Sequence, residues 1–422
     1  MNKFLATIVL LFCLSSELFA QISTNSPYSR FGLGDISQNL FPQFNALGGA
    51  SSAINGARTI NPGNPATYTM FGPNSFLLST GGWHQTTKMQ NSFEKQITNN
   101  NSFSHLVIGF PLRKNIGFSF GMIPFSSIGY EMSSELIDDS NSQNKAIGTY
   151  SGDGGLSKFY FGSSYQVVDG LSIGFNSSYL FGGLNRRKKL EYNDESFLNS
   201  RSNSKIYLQG YFYEFGLLYN KSLNENEKYS VGISTNNNSK IRAKKSDLVE
   251  AFNYSGFLEI PTDTFSNSVE LGYANLPQYI NIGISYHKDK KWLFVADYSI
   301  QNWQDFSMFD EEDNLVNSTK TSAGVQFTPN YSSITNYLQR IDYRVGVNYC
   351  NTPLQFDDTQ LEEISFSFGF GIPVKKSRTK YDFSCTLGQR GTNNNNLIKE
   401  QFIRLGLSVS YDGIWFVKRK YD

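Results

Sequence analysis

The chain has 422 residues, a formal net charge of +1 and only 17% charged residues, whereas an ordinary globular domain has about 25%. This balance gives no indication of a nucleic-acid partner. The 15% aromatic content, with 35 Phe, 25 Tyr and 36 Gly residues, fits a transmembrane barrel better than a soluble fold, because only alternate barrel residues need to face lipid.

The first twenty residues have the features of a secretory signal peptide. Met1–Lys3 gives a positive start, and the apolar run Phe4–Leu14 is shorter than the roughly 18 residues that a membrane helix needs. We expect cleavage after Ala20, so that the mature chain begins at Gln21. The chain is therefore predicted to be exported.

Residues 21–73 do not alternate and are rich in Gly and Pro, with one short helix expected near Phe41–Ala53. About fifty irregular residues are unusual in a compact domain. Inside a barrel they can fill the lumen as a plug. We predict a hatch at residues 21–73 and a transmembrane β-barrel at residues 74–422.

From residue 74 onward the dominant signal is a period of two, which places successive side chains on opposite faces of a strand. A soluble sandwich also alternates. Two features favour a barrel: the polar face is mostly Gly, Ser and Asn, and many segments reach the nine to eleven residues that a tilted membrane strand needs. Clear examples are Leu171–Tyr179, Ile280–Tyr286, Ile364–Ile372 and Ile403–Tyr411.

Short and long connections alternate along the chain, as the periplasmic turns and external loops of outer-membrane barrels do. The rhythm weakens at Pro329–Leu338, which is long on the side that should be short. We predict an all-β fold of about fourteen antiparallel strands in the cell outer membrane. The long polar stretches assigned to external loops are Met89–Asn101, Glu131–Gly154, Arg186–Asn203, Ser239–Ser268 and Phe306–Ser318.

Pro124 lies within the predicted third strand, where a proline cannot donate a hydrogen bond to its neighbour. Gly121 and Gly129 would ease a kink or bulge there, and Phe125 follows directly. One interpretation is a lateral gate in the wall. The other is a bulge that only redirects the strand near the rim.

The sequence offers little for catalysis or metal binding. His84, His105 and His287 have no Ser, Cys or carboxylate partner at a recognisable spacing, so we predict no enzyme, no cofactor and no metal site. Cys350 and Cys385 are expected to be free thiols within strands. Near the end of the chain, the predicted interface aromatics are Trp415 and Phe416.

Several motifs, taken in order, resemble the FadL/TodX-type outer-membrane channels for hydrophobic compounds. Gly48 and Gly49 within Ala46–Ala50, followed by Asn64, Pro65 and Ala66, are similar to the hatch of that family. Later matching segments are Leu276–Pro277, Ile282–Ile284, Ala296–Asp297, Trp303, Phe306, Tyr343–Gly346 and Phe368–Pro373.

The resemblance implies a hydrophobic small-molecule ligand, outer-membrane lipid around the barrel, and a kinked third strand that forms a lateral gate. The segments Pro27–Asp35 and Trp415–Lys420 are similar to outer-membrane proteins of Bacteroidetes, where some such barrels are companions of secretion or barrel-assembly machinery. The alternative function is therefore an accessory barrel that docks other outer-membrane proteins and transports nothing.

Overall fold

The computed structural model describes residues 24–37, 41–137, 145–194, 197–356, 358–393 and 397–415. One antiparallel sheet closes into a barrel, because the last strand pairs with the first wall strand from Lys399–Gln90 to Ile414–Ser75. Fourteen strands form the wall, which confirms the predicted number. The predicted signal peptide at residues 1–20 lies outside the described residues.

The strands are numbered in chain order. They are β1 Asp35–Ile36, β2 Ser75–Gln90, β3 Lys95–Arg113, β4 Ile116–Ile137, β5 Lys145–Val168, β6 Leu171–Tyr192, β7 Asn199–Ser222, β8 Glu227–Asn236, β9 Ser239–Ser255, β10 Leu258–Leu276, β11 Tyr279–Lys288, β12 Trp292–Gln301, β13 Ser307–Met308, β14 Glu311–Glu312, β15 Ser318–Phe327, β16 Asp342–Phe356, β17 Thr359–Pro373, β18 Lys380–Arg390 and β19 Lys399–Ile414.

Two wall strands consist of two segments each. β8 and β9 follow one another along β7, and β11 and β10 continue beside them in the same way. Both interruptions lie at the same height, where Asn236 Nδ2 donates to the Pro277 carbonyl at 3.1 Å and Tyr279 N donates to Asn236 Oδ1 at 2.7 Å. The amide of Asn236 therefore replaces backbone pairing at this level.

Most stretches predicted as long external loops are strand instead. β4 continues to Ile137 before β5 begins at Lys145, and the β9–β10 turn occupies only residues 256–257. Antiparallel neighbours satisfy each other's backbone groups, so polar segments remain paired beyond the apolar part of the wall. Only Phe306–Ser318 is largely irregular, apart from β13 and β14.

The predicted alternation separates the two faces of the wall. In β17, Phe366 is 49% and Phe370 37% exposed on the outer face, whereas Ser365 and Ser367 are buried on the inner face. The outer surface is therefore apolar and aromatic, as lipid requires. No helix among the described residues is long and apolar enough to cross a membrane.

The N-terminal segment, residues 24–73, has little regular structure. It contains 3₁₀ helices at Pro27–Arg30 and Pro65–Met70, the short strand β1, and one α-helix, α1, at Pro42–Asn45. The helix expected near Phe41–Ala53 is thus a single turn, because the positive φ angles of Gly48 (+72°) and Gly49 (+84°) end it. Cys350 and Cys385 lie on β16 and β18 and are free thiols.

Candidate functional site

The N-terminal segment lies directly on inward-facing glycines of the wall. A β-carbon at Gly174 would lie 2.2 Å from the Ala66 nitrogen, and one at Gly346 would lie 2.1 Å from the Gly48 nitrogen. Only glycine permits this approach. We call this set the glycine ring; its members are Gly117, Gly174, Gly216, Gly232, Gly283, Gly324, Gly346, Gly369 and Gly406.

The turn at Asn64, Pro65 and Ala66 fixes one side of the segment. Asn64 is fully buried; its Nδ2 donates to the Ser52 carbonyl at 2.7 Å and to the Leu217 carbonyl of β7 at 3.1 Å. Its Oδ1 accepts from Ala66 N at 3.1 Å, which caps the 3₁₀ helix that follows. The motif identified in the sequence therefore links the segment to the wall.

Asp297 of β12 fixes the segment at a second point. Its Oδ2 accepts from the backbone N–H groups of Ser51 at 2.6 Å and Ser52 at 2.7 Å. Close by, Gly48 N donates to Ser367 Oγ at 3.1 Å. The positive φ angles of Gly48 and Gly49 allow the chain to turn sharply beside these contacts.

A third anchor uses Tyr68, which is fully buried between the segment and the wall. Burial raises the pKa of Tyr68 well above its ordinary value, so the phenol stays protonated and donates to Asn176 Oδ1 at 3.0 Å. The Asn176 amide in turn donates to the Pro62 carbonyl at 3.1 Å. The segment is thus hydrogen-bonded to β6 at two places.

The wall is incompletely paired between β3 and β4. Their ladder runs from Arg113–Ile116 to Leu106–Met122, and no further pairing joins the two strands among the described residues. Beyond this point β3 pairs only with β2, and β4 pairs with β5 through a bulge at Pro124/Ser126. We call this interruption the seam.

The predicted gate residues lie at the seam. Gly121 occupies the last paired stretch opposite Val107, Pro124 and Phe125 follow the end of the ladder, and Gly129 lies further along the same edge. The sequence pattern therefore located the interruption correctly. It did not indicate what covers the exposed edge of β4.

Residues 24–37, which we call the strap, cover that edge. β1 pairs with β4 at Asp35–Ser127 and Ile36–Ser126, and Ser37 N donates to the Phe125 carbonyl at 2.9 Å. Further along, Ser26 N donates to the Gly129 carbonyl at 2.8 Å.

The strap also reaches β3. With its amide oriented to satisfy its neighbours, Asn100 of β3 accepts from the Asn25 N–H at 3.2 Å. The strap therefore contacts both edges of the seam.

Arg390 of β18 holds the strap from the opposite side. It contacts Asp35 Oδ1 at 2.8 Å, Glu400 Oε2 at 2.7 Å and Ser26 Oγ at 2.6 Å. Ser26 Oγ also donates to Glu400 Oε1 at 2.6 Å. One guanidinium thus connects two strap residues to the wall.

Two adjoining cavities lie beside the strap. The first, about 210 Å³, is lined by charged groups that include Lys320, Glu363 and Arg404. The second, about 170 Å³, reaches the seam and contacts Pro124; its other apolar lining residues include Phe41, Ile123, Phe125, Phe212 and Leu276. Both cavities share Ile36, Gly49, Trp303 and Lys320, so they meet at the strap.

Ser79 and His105 form a pair that sequence spacing did not indicate. Ser79 Oγ lies 2.9 Å from His105 Nε2, and the other ring nitrogen faces Ser104 Oγ at 2.8 Å. Phe41 stacks on the imidazole at 3.8 Å and covers it. No carboxylate orients the ring, so the pair fits a packing role.

No group of three metal-ligating side chains occurs among the described residues. Of the predicted interface aromatics, Trp415 is half exposed and stacks on Phe76 at 3.8 Å, and Phe416 lies outside the described residues. The glycine ring, the strap and the role of Asp297 were missed. Glycine repeated on the small face of successive strands was the one available signal.

Comparison of the fold gives three channel structures of similar architecture. The toluene transporter TbuX of Ralstonia pickettii has a TM-score of 0.60 and 13% identity, with 89% of this chain and 98% of that chain covered. For the toluene transporter TodX of Pseudomonas putida the values are 0.59, 14%, 92% and 100%. For a Pseudomonas aeruginosa FadL homologue they are 0.51, 11%, 93% and 99%.

Comparison of sequence gives a different kind of match. The sequence model of the BamG family matches residues 1–422. None of the curated proteins matches the chain.

Proposed function

This chain belongs to the BamG family, and on that premise we propose that it is an outer-membrane channel for passive uptake of hydrophobic small molecules. In this proposal the signal peptide at residues 1–20 is removed on export. Residues 21–73 then form the hatch inside the barrel of residues 74–422. The molecule enters between the external strand ends and leaves sideways into lipid through the seam.

The observation that carries the proposal is the second cavity, which reaches Pro124 where the β3–β4 ladder has ended. A continuous ladder leaves no passage between wall and lipid. An apolar pocket behind an unpaired edge supplies both a binding place and a route outward. The fold shared with TbuX and TodX, whose printed names describe toluene transporters, supports the same kind of ligand.

The strap must move for this route to open. It covers the β4 edge through β1 and the contacts of Ser37 and Ser26, and few of these bonds lie deep in the wall. We infer that a ligand in the second cavity displaces Ile36, which lines that cavity as well as pairing with β4.

A disulfide between strap and wall tests this route. In a variant with Cys350→Ser and Cys385→Ser, Ile36→Cys and Ser126→Cys would stand opposite each other, close to the separation that a disulfide requires. We expect the oxidised protein to lose most of its uptake of toluene and of a long-chain fatty acid into proteoliposomes, and reductant to restore it.

The matched control is Val347→Cys with Phe366→Cys, a pair that faces lipid in β16 and β17. That cross-link should leave uptake unchanged. Equal uptake by the reduced and oxidised strap variants would contradict the lateral route, and no uptake by any form would contradict transport altogether.

A second function is favoured by the family match. The designation Bam denotes barrel-assembly machinery, which agrees with an accessory barrel that docks other outer-membrane proteins. The external β9–β10 turn offers a contact surface, because Phe257 is fully exposed and Leu258 is 72% exposed. Exposed aromatic and aliphatic side chains of this kind are typical of protein interfaces.

Purification in mild detergent separates the two functions. If docking is correct, the chain purifies with stoichiometric outer-membrane proteins, and Phe257→Ser with Leu258→Ser removes them without changing the fold. The lipid-facing pair Leu405→Ser and Leu407→Ser is the control for lost apolar surface. Partner loss with retained uptake would show that the two roles are separate.

A further inference from the structure

Three cations stand in a row on the outer face of β9. Lys240, Arg242 and Lys244 are exposed, whereas the residues between them, Ile241 and Ala243, are buried on the inner face. Alternate residues of a strand are about 7 Å apart. The row therefore presents three like charges over about 14 Å.

The register gives the height of this row. Arg242 pairs with Gln209 of β7, and Tyr219 marks the other end of the exposed apolar stretch of that strand. Gln209 to Tyr219 is the length of one tilted membrane crossing, about nine to eleven residues.

Tyr211 and Tyr213, 61% and 40% exposed, lie just inside that crossing. The row thus lies at the membrane boundary on the side of the long strand extensions. Since the short turns belong to the periplasm, this boundary is the outer leaflet.

The row has no internal counter-charge. None of the three cations forms an ion pair or hydrogen bond with any part of the chain that the structure describes. Their neighbours across β7 and β10 at these levels are Tyr207, Gln209, Leu271, Tyr273 and Asn275, none of which is acidic.

A fourth cation is close by. Lys205 of β7 pairs with Ser246, so it lies diagonally beside Lys244 and adds to the positive potential.

We propose that this row binds the phosphate groups of a phosphorylated lipid of the outer leaflet. Cations at an interface attract anionic headgroups, and arginine can bind a phosphate through two parallel hydrogen bonds. Below the row, the exposed rings of Tyr273 and Tyr211 provide an amphipathic surface for the upper part of the acyl chains.

The test compares lipid retention by the full mature chain in detergent, measured by native mass spectrometry. The variant carries Lys240→Gln, Arg242→Gln and Lys244→Gln. The control removes equal charge at the periplasmic turn through Lys288→Gln, Lys290→Gln and Lys291→Gln, all exposed. The probes are diphosphorylated lipid A, dephosphorylated lipid A with the same acyl chains, and inorganic phosphate as competitor.

We expect the wild-type chain and the control to bind the diphosphorylated form, and the row variant to bind it about tenfold or more weakly, because each interfacial cation contributes about fivefold. Unchanged binding by the row variant, or equal binding of the dephosphorylated lipid, would overturn the proposal. Full competition by millimolar phosphate would indicate a free-ion site instead.

Loss of an acidic protein partner with lipid binding intact would assign the row to protein docking and would also overturn the proposal. Heat-modifiable migration on gels confirms that each variant is folded, so a negative result is interpretable.

Discussion

At the scale of single residues, the inner wall depends on side chains that are absent. At Gly216 a β-carbon would lie 2.2 Å from Asn64 Oδ1, inside van der Waals contact, so the position admits only glycine while Asn64 keeps its bonds. The same holds at Gly232 against the Ser52 carbonyl, at 2.0 Å. The close fit of segment and wall thus depends on positions that alternation alone describes merely as small.

Gly216→Ala should loosen the N-terminal segment while leaving the wall intact. Overpacking of this kind costs about 1–3 kcal/mol, and we expect faster protease cleavage within residues 41–73 of the detergent-purified protein. Gly210→Ala is the control, since it lies on the same strand and inner face but has only Ile241 nearby, at 3.1 Å. Equal cleavage of both variants would contradict the role of the glycine ring.

Some site residues were predictable individually and others were not. Asn64 and Pro124 carry local signals, a capping amide before a proline and a proline inside a strand, so the sequence places them correctly. Asp297 carries none, because its partners Ser51 and Ser52 lie about 245 residues away in the chain. Contacts of that separation follow from the closed barrel, which no local pattern encodes.

At the scale of elements, the strap depends on one buried charge cluster. Arg390 neutralises Asp35 and Glu400 together, and its removal leaves two carboxylates without a cation at a site with little water. Removing one member of a buried ion pair costs roughly 3–5 kcal/mol. The strap has no comparable anchor on the β4 side, where its contacts are backbone hydrogen bonds and one serine hydroxyl.

Arg390→Gln should therefore release the strap from the seam. We expect an Ile36→Cys reporter, in a background without Cys350 and Cys385, to react with a maleimide several-fold faster than in the parent. Arg58→Gln is the control: its side chain is 59% exposed, and its bridge to Asp412 should contribute little. Unchanged labelling after Arg390→Gln would show that the strap is held otherwise.

The lengths of the strands were predicted less well than their number. Period-two segments with one apolar face were recognised, but the external halves of β5, β7, β9 and β10 are polar on both faces and resemble loops in sequence. Their strand structure comes from pairing with equally long neighbours. Such mutual support is a property of adjacent strands and does not appear in one segment.

At the scale of the whole molecule, the outer surface decides where the protein can exist. Exposed aromatic and aliphatic residues continue around the wall, for example Phe215, Ile282, Val347 and Leu407, each more than a third exposed. A monomeric soluble protein rarely shows a continuous apolar surface of this extent. Barrel closure and strand number followed from composition and alternation, whereas the choice between channel and accessory barrel did not, because both functions use this surface.

We therefore expect the mature chain to remain folded and monodisperse only in detergent or a bilayer. Its unheated form should migrate faster on gels than the boiled form, since the closed barrel resists detergent unfolding. A stable water-soluble monomer, measured by light scattering without detergent, would contradict the barrel's membrane placement and both proposed functions. The far-ultraviolet spectrum should show strand in either case and serves as the folding control.

The unequal strand lengths have a further consequence. β4 to β7 contain 22 to 24 residues, whereas β12 and β15 contain 10 each, a difference in height on the order of 30 Å at the usual tilt. The molecule thus has a front and a back within the membrane plane. A neighbour that approaches the front meets a standing sheet well above the headgroups, and one that approaches the back meets lipid at once, so assemblies of this barrel should form with one preferred orientation.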